Sequence, residues 1–195
     1  MDLSRIAGGD HLPGAWLEID LDAIGHNVRA LCHKLSPGTE LMAIVKADGY
    51  GHGAVPVARA ALHKGAKWLG LGSVSEAIEL RQAGITAPLL VLGPPLKWQA
   101  PLVVENDLRV AVCTYDVAEQ LSQAARLGGV TARVHVKIDT GMGRLGVMPA
   151  AALKFIRRIQ VLPNLEVEGI FSHFATADDV DQTYARQQFS AFSQV

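Results

Sequence analysis

The apolar residues change their spacing in a regular way along the chain. Leu21, Ile24, Val28, Leu31 and Leu35 step by three and four, which predicts a helix capped by Asp20 and ended by "SPG" at 36–38. Just before it, "AWLEIDL" alternates, with Trp16 apart from Leu17, Ile19 and Leu21, and predicts a short strand. From there short apolar runs alternate with helical segments. "ELMAIVK", "KWLGLGS", "PLLVLG", "LRVAVC", "ARVHVKID" and "VEGIFSHF" read as strands. Helices are expected over 54–64, 75–83, 97–105 (a poor one), 116–127 and 149–160, with a last one starting near Asp179.

Short apolar strands separated by helices predict parallel strands with crossover helices, buried on both faces. The period alone leaves an open doubly wound sheet and a closed barrel both standing. Polar residues bear on the choice. Lys46, Lys137 and His173 fall at or near the carboxyl ends of different strands, and Arg144 lies just beyond one. A (β/α)8 barrel builds its site this way, one residue per strand end. Six barrel strands are legible, whereas that fold has eight and about 250 residues. The expectation is an α/β chain with an incomplete (β/α)8 TIM-type barrel over 15–195, preceded by a flexible arm over 1–14.

Composition narrows the function. The 195 residues are 49% hydrophobic and 19% charged, with net charge -1, so no basic field exists to collect nucleic-acid phosphates. Cys32 and Cys113 lie far apart within apolar patterns and read as reduced thiols, not a disulfide framework. "MDLSRIAGGDHLPG" has no apolar core, so no signal peptide is expected there, and no run approaches the ~18 apolar residues of a membrane span. A cytoplasmic protein is expected.

Two clusters carry candidate chemistry. In "AIVKADGYGHGAV" an apolar run delivers Lys46 to a turn with glycine at 49, 51 and 53. An amine held at an apolar strand end is partly desolvated, which favours the neutral form that a Schiff-base lysine needs. The ordinary alternative is a lysine snorkelling to solvent. Tyr50 could turn its hydroxyl to an anion beside the same turn. "GYGHGA" also satisfies the G-x-G-x-x-A dinucleotide fingerprint, with Glu76 near the position of a ribose-binding acid. That reading gives Lys46 no role.

The second cluster is "VHVKIDTGMGRLG". Lys137 shares a strand face with His135 and Asp139, while Val134, Val136 and Ile138 face the other way. Arg144 follows in a glycine-rich turn, well placed to hold a carboxylate by two parallel hydrogen bonds. Lys137 close to Arg144 is an unfavourable pair of like charges unless something intervenes. His173 closes "GIFSHFATAD" at the same end as the others.

Taken together, "AIVKADGYGHGA", "SVSEAIELRQAGITAPLLVLG", "VKIDTGMGRLG" and "GIFSHFATAD" closely resemble the alanine racemases, pyridoxal-phosphate enzymes built on a (β/α)8 barrel. The resemblance runs from about Trp16 to the last residue. It implies pyridoxal 5'-phosphate as cofactor, joined to Lys46 as a Schiff base, with Lys46 also one of two racemisation bases. Tyr50 matches the tyrosine on the cofactor phosphate. Arg144 matches the arginine beside the phenolic oxygen and the substrate carboxylate. Lys137 matches a lysine carbamylated in the family, which would turn a cation into an anion and give Arg144 a partner. His173 matches the histidine packed at the cofactor ring. The resemblance further implies alanine as substrate, a homodimer for the full-length enzyme, and supply of D-alanine to peptidoglycan.

The family's second base is a tyrosine of the partner subunit's C-terminal domain, and nothing here matches that domain. The chain is therefore expected to be the N-terminal portion of a longer racemase, slow or inactive by itself. A pyridoxal-phosphate-binding module without turnover is the alternative, and a dinucleotide-binding domain a further one.

Overall fold

Six parallel strands run side by side in chain order: β1 (Met42–Ile44), β2 (Trp68–Leu71), β3 (Leu89–Val91), β4 (Arg109–Val112), β5 (Ala132–Lys137) and β6 (Leu165–Phe171). Each pairs in parallel with the next. This computed structural model describes residues 15–195, so the arm expected over 1–14 lies outside the described residues. A doubly wound sheet reverses its strand order at a switch point. The order here never reverses, which is the arc of a barrel and corrects the dinucleotide-binding alternative.

Helices cover the outer face: α3 (Ala54–His63), α4 (Val74–Gln82), α5 (Ala100–Glu105), α6 (Tyr115–Leu127) and α7 (Pro149–Ile159), with α1 (Leu21–Cys32) against α3, a short α2 (Lys46–Gly51) after β1, and α8 (Thr183–Ser193) after β6. The core lies between this layer and the sheet. Leu69, Leu71, Leu89, Val91, Val110, Val112, Val134 and Val136 point outward onto Ala58, Ala77, Leu80, Val103, Ala118, Leu121 and Ile159. The alanines let helix backbones approach the sheet closely. Cys32 and Cys113 are free thiols, both half-buried.

The inner face is of another kind. β5 and β6 alternate instead of running apolar, and their inward residues form an ion-pair layer near the amino ends. Glu168 meets His135 Nε2 at 2.9 Å and Arg109 Nε at 3.4 Å, and Glu166 meets Arg133 at 3.4 Å. Nearer the carboxyl ends the inner face opens into the cavity described below.

Three expectations need correction. No strand forms over 15–20, and Trp16 and Leu17 are exposed. A strand needs a neighbour for its backbone hydrogen bonds, and β1, at the sheet edge, pairs only with β2. Asp20 does cap α1, accepting from the Ala23 N–H at 2.9 Å. Of the residues of α1, however, only Gly25 and Val28 are buried, and Leu21 and Leu31 stay exposed. The last helix starts at Thr183, not near Asp179. Asp181 accepts from the Thr183 N–H at 2.9 Å, the local bond that lets Asp hold a chain just short of a helix.

Arg81 ties this frame together. Its guanidinium donates to the carbonyls of Ile85 (2.7 Å), Ala87 (2.8 Å), Asn106 (3.0 Å) and Asp107 (3.2 Å), joining the end of α4 to the approaches of β3 and β4. A lysine has no planar fork to reproduce this set. Arg81→Lys should lower stability by roughly 2–3 kcal/mol, the scale of charged hydrogen bonds lost at several acceptors. Urea unfolding should show it as a lower midpoint with an unchanged slope. A loss under about 0.5 kcal/mol, the range of an ordinary surface change, would contradict this role.

Candidate active site

Lys46 does not prolong β1. It follows buried Val45 and opens a left-handed turn in which Ala47, Asp48, Gly49 and Tyr50 have φ of 50°, 53°, 60° and 56°. This region costs roughly 1–2 kcal/mol for each residue with a side chain, and three of the four have one. Local bonds offset the strain. The Gly49 N–H donates to Val45 O at 2.9 Å and the Gly53 N–H to Asp48 O at 2.9 Å. The Asp48 carboxylate accepts from the Ala54 N–H at 2.7 Å, at the start of α3. Glu76 accepts from the Ala47 N–H at 3.0 Å, and also from the Gly72 and Ser73 N–H groups at 2.7 and 3.2 Å. Glu76 is thus committed to backbone amides and to capping α4, which corrects its reading as a ribose-binding acid. Its carboxylate clips the Lys46 turn to the loop after β2.

The turn after β5 is folded on its own carboxylate. Asp139 does not face the cavity with Lys137. It accepts from the Gly141 and Gly143 N–H groups, each at 3.0 Å. The Gly143 amide foremost holds its carboxyl below the usual carboxylate range. Gly146 closes the turn with φ +139°, and a Cβ there would meet the Asp139 nitrogen at 2.6 Å, so the tight return of the chain requires glycine.

These turns face one cavity of about 600 Å³, whose lining includes Lys46, Tyr50, Lys137, Arg144, Leu145 and His173. All five residues singled out from the sequence meet there. Tyr50 is 59% exposed, with its ring 5.8 Å from Lys46 Nζ. Lys137 is only 7% exposed, and its Nζ lies 5.5 Å from the Phe171 ring. Burial pushes the Lys137 ammonium below the usual lysine range, and Arg144 pushes it further. Burial likewise lowers His173, helped by Arg144, Lys137 and Lys46. The neighbouring carboxylate, Asp139, is spent on amides. The cavity is therefore a cationic site that favours anions, and it keeps His173 neutral at physiological pH.

Sequence reasoning missed the residues that hold these turns from behind. Gln188 and Tyr184 of α8 bond to the loops after β5 and β6. The signal was present: 185, 188 and 192 step by three and four, which puts a glutamine where a core residue belongs.

Comparison with known proteins agrees with the fold and the motifs. Residues 19–195 match the family described as alanine racemase, N-terminal domain. The alanine racemase of Symbiobacterium thermophilum is 47% identical over 183 residues, 94% of this chain and 48% of the relative. That of Desulfosudis oleivorans is 49% identical over 188 residues, 92% of this chain and 48% of the relative. Among solved structures, Clostridium difficile 630 alanine racemase in complex with cycloserine superposes with TM-score 0.88 at 34% identity, covering 95% of this chain and 51% of that one. The Bacillus anthracis enzyme with bound L-Ala-P gives TM-score 0.86 at 37% identity, covering 95% and 48%. The chain spans about half the length of the curated relatives it matches. With its unreversed parallel sheet and its match over 19–195, this chain belongs to the alanine racemase N-terminal domain family.

Proposed function

We propose that the cavity takes pyridoxal 5'-phosphate on Lys46, and that residues 15–195 are the N-terminal part of the barrel domain of an alanine racemase. The observation that carries this is the convergence of Lys46, Lys137, Arg144 and His173 on one cavity with an excess of positive charge. The residues fit an anionic cofactor: the cavity is roomy, and the turn under Lys46 keeps glycine at 49, 51 and 53. When bound, the cofactor supplies an electron sink that acidifies the Cα–H of an amino acid.

The roles follow from chemistry and position. Lys46 Nζ holds the cofactor and then carries the Cα proton on one face. The Tyr50 hydroxyl donates to the phosphate. Arg144 orients the substrate carboxylate, for which a guanidinium is geometrically matched. His173, held neutral, packs as an uncharged hydrogen-bonding group. Lys137 is carbamylated: its neutral amine adds to carbon dioxide, a nitrogen–carbon bond forms, one proton leaves, and the anion pairs with Arg144. The lowered Lys137 ammonium supports this, since only neutral amine reacts. Relatives' structures with cycloserine and L-Ala-P support a small-molecule substrate.

The finer reading is a homodimer in the cytoplasm supplying D-alanine for peptidoglycan. No helix among the described residues is long and apolar enough to cross a membrane. By itself this chain is proposed to racemise slowly, since the reading assigns it one proton carrier, Lys46.

Reduction with borohydride in the presence of pyridoxal phosphate, followed by peptide mapping, should place the label on Lys46. Label on Lys137, or on no lysine, would overturn the proposal.

Lys137 also makes a pH signature. Its folded form binds the proton less tightly than the unfolded chain, whose value is near 10.5. Below the folded pKa both states carry the proton and the penalty is full. Between the folded pKa and 10.5 the unfolded chain holds more protons, so stability rises with pH; above 10.5 the penalty is gone. In carbonate-free buffer, the stability of wild type relative to Lys137→Met should therefore rise across that window. A flat or falling difference from urea midpoints would contradict a buried cation at this position.

A further inference from the structure

Arg144 and His173 sit on separate loops, and neither loop is held by the sheet alone. Behind both lies α8, and on it Gln188, 1% exposed. Its Oε1 accepts from the Ala175 N–H at 2.9 Å. Its Nε2 donates to His173 O at 3.0 Å and to Thr140 Oγ1 at 3.2 Å. Thr140 Oγ1 lies 2.7 Å from Ser172 Oγ, and Ser172 donates to Ile138 O at 2.9 Å. One helical turn earlier, the Tyr184 hydroxyl donates to Gly141 O at 2.7 Å.

Counting protons gives this network a direction. Ser172 has one hydroxyl proton, given to the Ile138 carbonyl, so Thr140 must donate to Ser172. Thr140 then has no proton left and must accept from residue 188. His173 O, a carbonyl, must also accept, whereas the Ala175 N–H needs an acceptor. Position 188 therefore needs two N–H donors and one oxygen on a single side chain of this length, which is a primary amide. A carboxylate would set an oxygen against two acceptors, and an apolar residue would leave buried groups unpaired.

We propose that Gln188 is a positioning residue: it locks the loop carrying Arg144 to the segment carrying His173 through one buried, proton-ordered network. Gln188 does not line the cavity and touches none of the groups to which chemistry is assigned, save the His173 main chain. It acts by fixing where two site residues stand when a ligand arrives. The functional half of this inference rests on the proposed role of the cavity. The structural half does not.

The test reads backbone hydrogen exchange in the 195-residue chain without cofactor, and cofactor retention separately. Gln188→Met keeps bulk and helix propensity but removes all three bonds. It should speed exchange at Ala175 roughly tenfold or more, the scale of one lost buried hydrogen bond. It should also speed exchange at Gly141 and Gly143, whose acceptor is Asp139 and not Gln188. Core amides of β3 and β4 should not change. Gln188→Glu should behave like Gln188→Met at neutral pH and recover in part as the pH falls and the carboxyl regains a donor. Tyr184→Phe should loosen Gly141 and Gly143 and spare Ala175. With pyridoxal phosphate added, Gln188→Met should release it roughly tenfold faster than wild type, by the same hydrogen-bond scale. Unchanged exchange at Gly141 and Gly143 in Gln188→Met, or acceleration spread equally over the core, would overturn the positioning role. Exchange is read without cofactor, so it judges Gln188 even where the wild-type chain retains none, and that second result would remove the proposed function instead.

Discussion

Like charges crowded at one mouth are the constraint on which the rest of this structure depends. Six strands point the same way, so residues at their carboxyl ends must meet. Those residues include Lys46, Lys137 and His173, with Arg144 just beyond. Lys137 is buried among them without a salt bridge among the described residues. A buried cation beside other cations is costly, and a protein keeps such an arrangement where an anion meets it. Charge of the opposite sign was available elsewhere: Glu166 and Glu168 pair with arginines lower on the same inner face. The two layers divide the barrel interior into a neutralised floor and a cationic mouth.

The backbone around the mouth carries strain to match. Ala47, Asp48 and Tyr50 adopt a left-handed conformation that side chains disfavour. They are held by bonds from outside the turn: Asp48 to the start of α3, Glu76 from the start of α4. On the opposite side, Asp139 folds its loop from within, and Gln188 and Tyr184 brace it from α8. Lys46 and Arg144 thus sit on turns fixed by several independent hydrogen bonds. That is the preorganisation a site needs if binding is not to be spent on ordering the protein.

Much of this was legible in the sequence, and for physical reasons. Strand and helix periods located every barrel strand and the helices packed on them, because outward strand residues and helix stripes share one core; the short left-handed α2 carries no such stripe and was missed, and the last helix start was misplaced. Lys46, Lys137 and His173 stood out because a polar residue ending an apolar run breaks the period, and Tyr50 and Arg144 because each lies in a glycine-rich turn just beyond such a run. What stayed hidden depended on contacts distant in sequence. The handedness of residues 47–50 is decided partly by Glu76, 29 positions after Ala47. Glu76 itself carried a misleading signal, since a capping acid and a ribose-binding acid occupy similar places after a strand. The polar face of "ARVHVKID" was visible in its alternation, but its ion-pair partners were not, since Glu166 and Glu168 lie on another strand. The segment at 15–20 failed as a strand because alternation records a propensity and not the presence of a neighbour.

A cationic mouth of this kind is balanced by anions, and Lys137 is where that balance is read most directly. The chain would be saturated with pyridoxal phosphate and isotope-labelled bicarbonate, and the labelled carbon followed by magnetic resonance. A carbamate signal should appear, disappear in Lys137→Met and survive in Arg144→Met at reduced intensity. A loaded chain with no labelled carbon on Lys137, its amine still an ammonium beside Arg144, would contradict it.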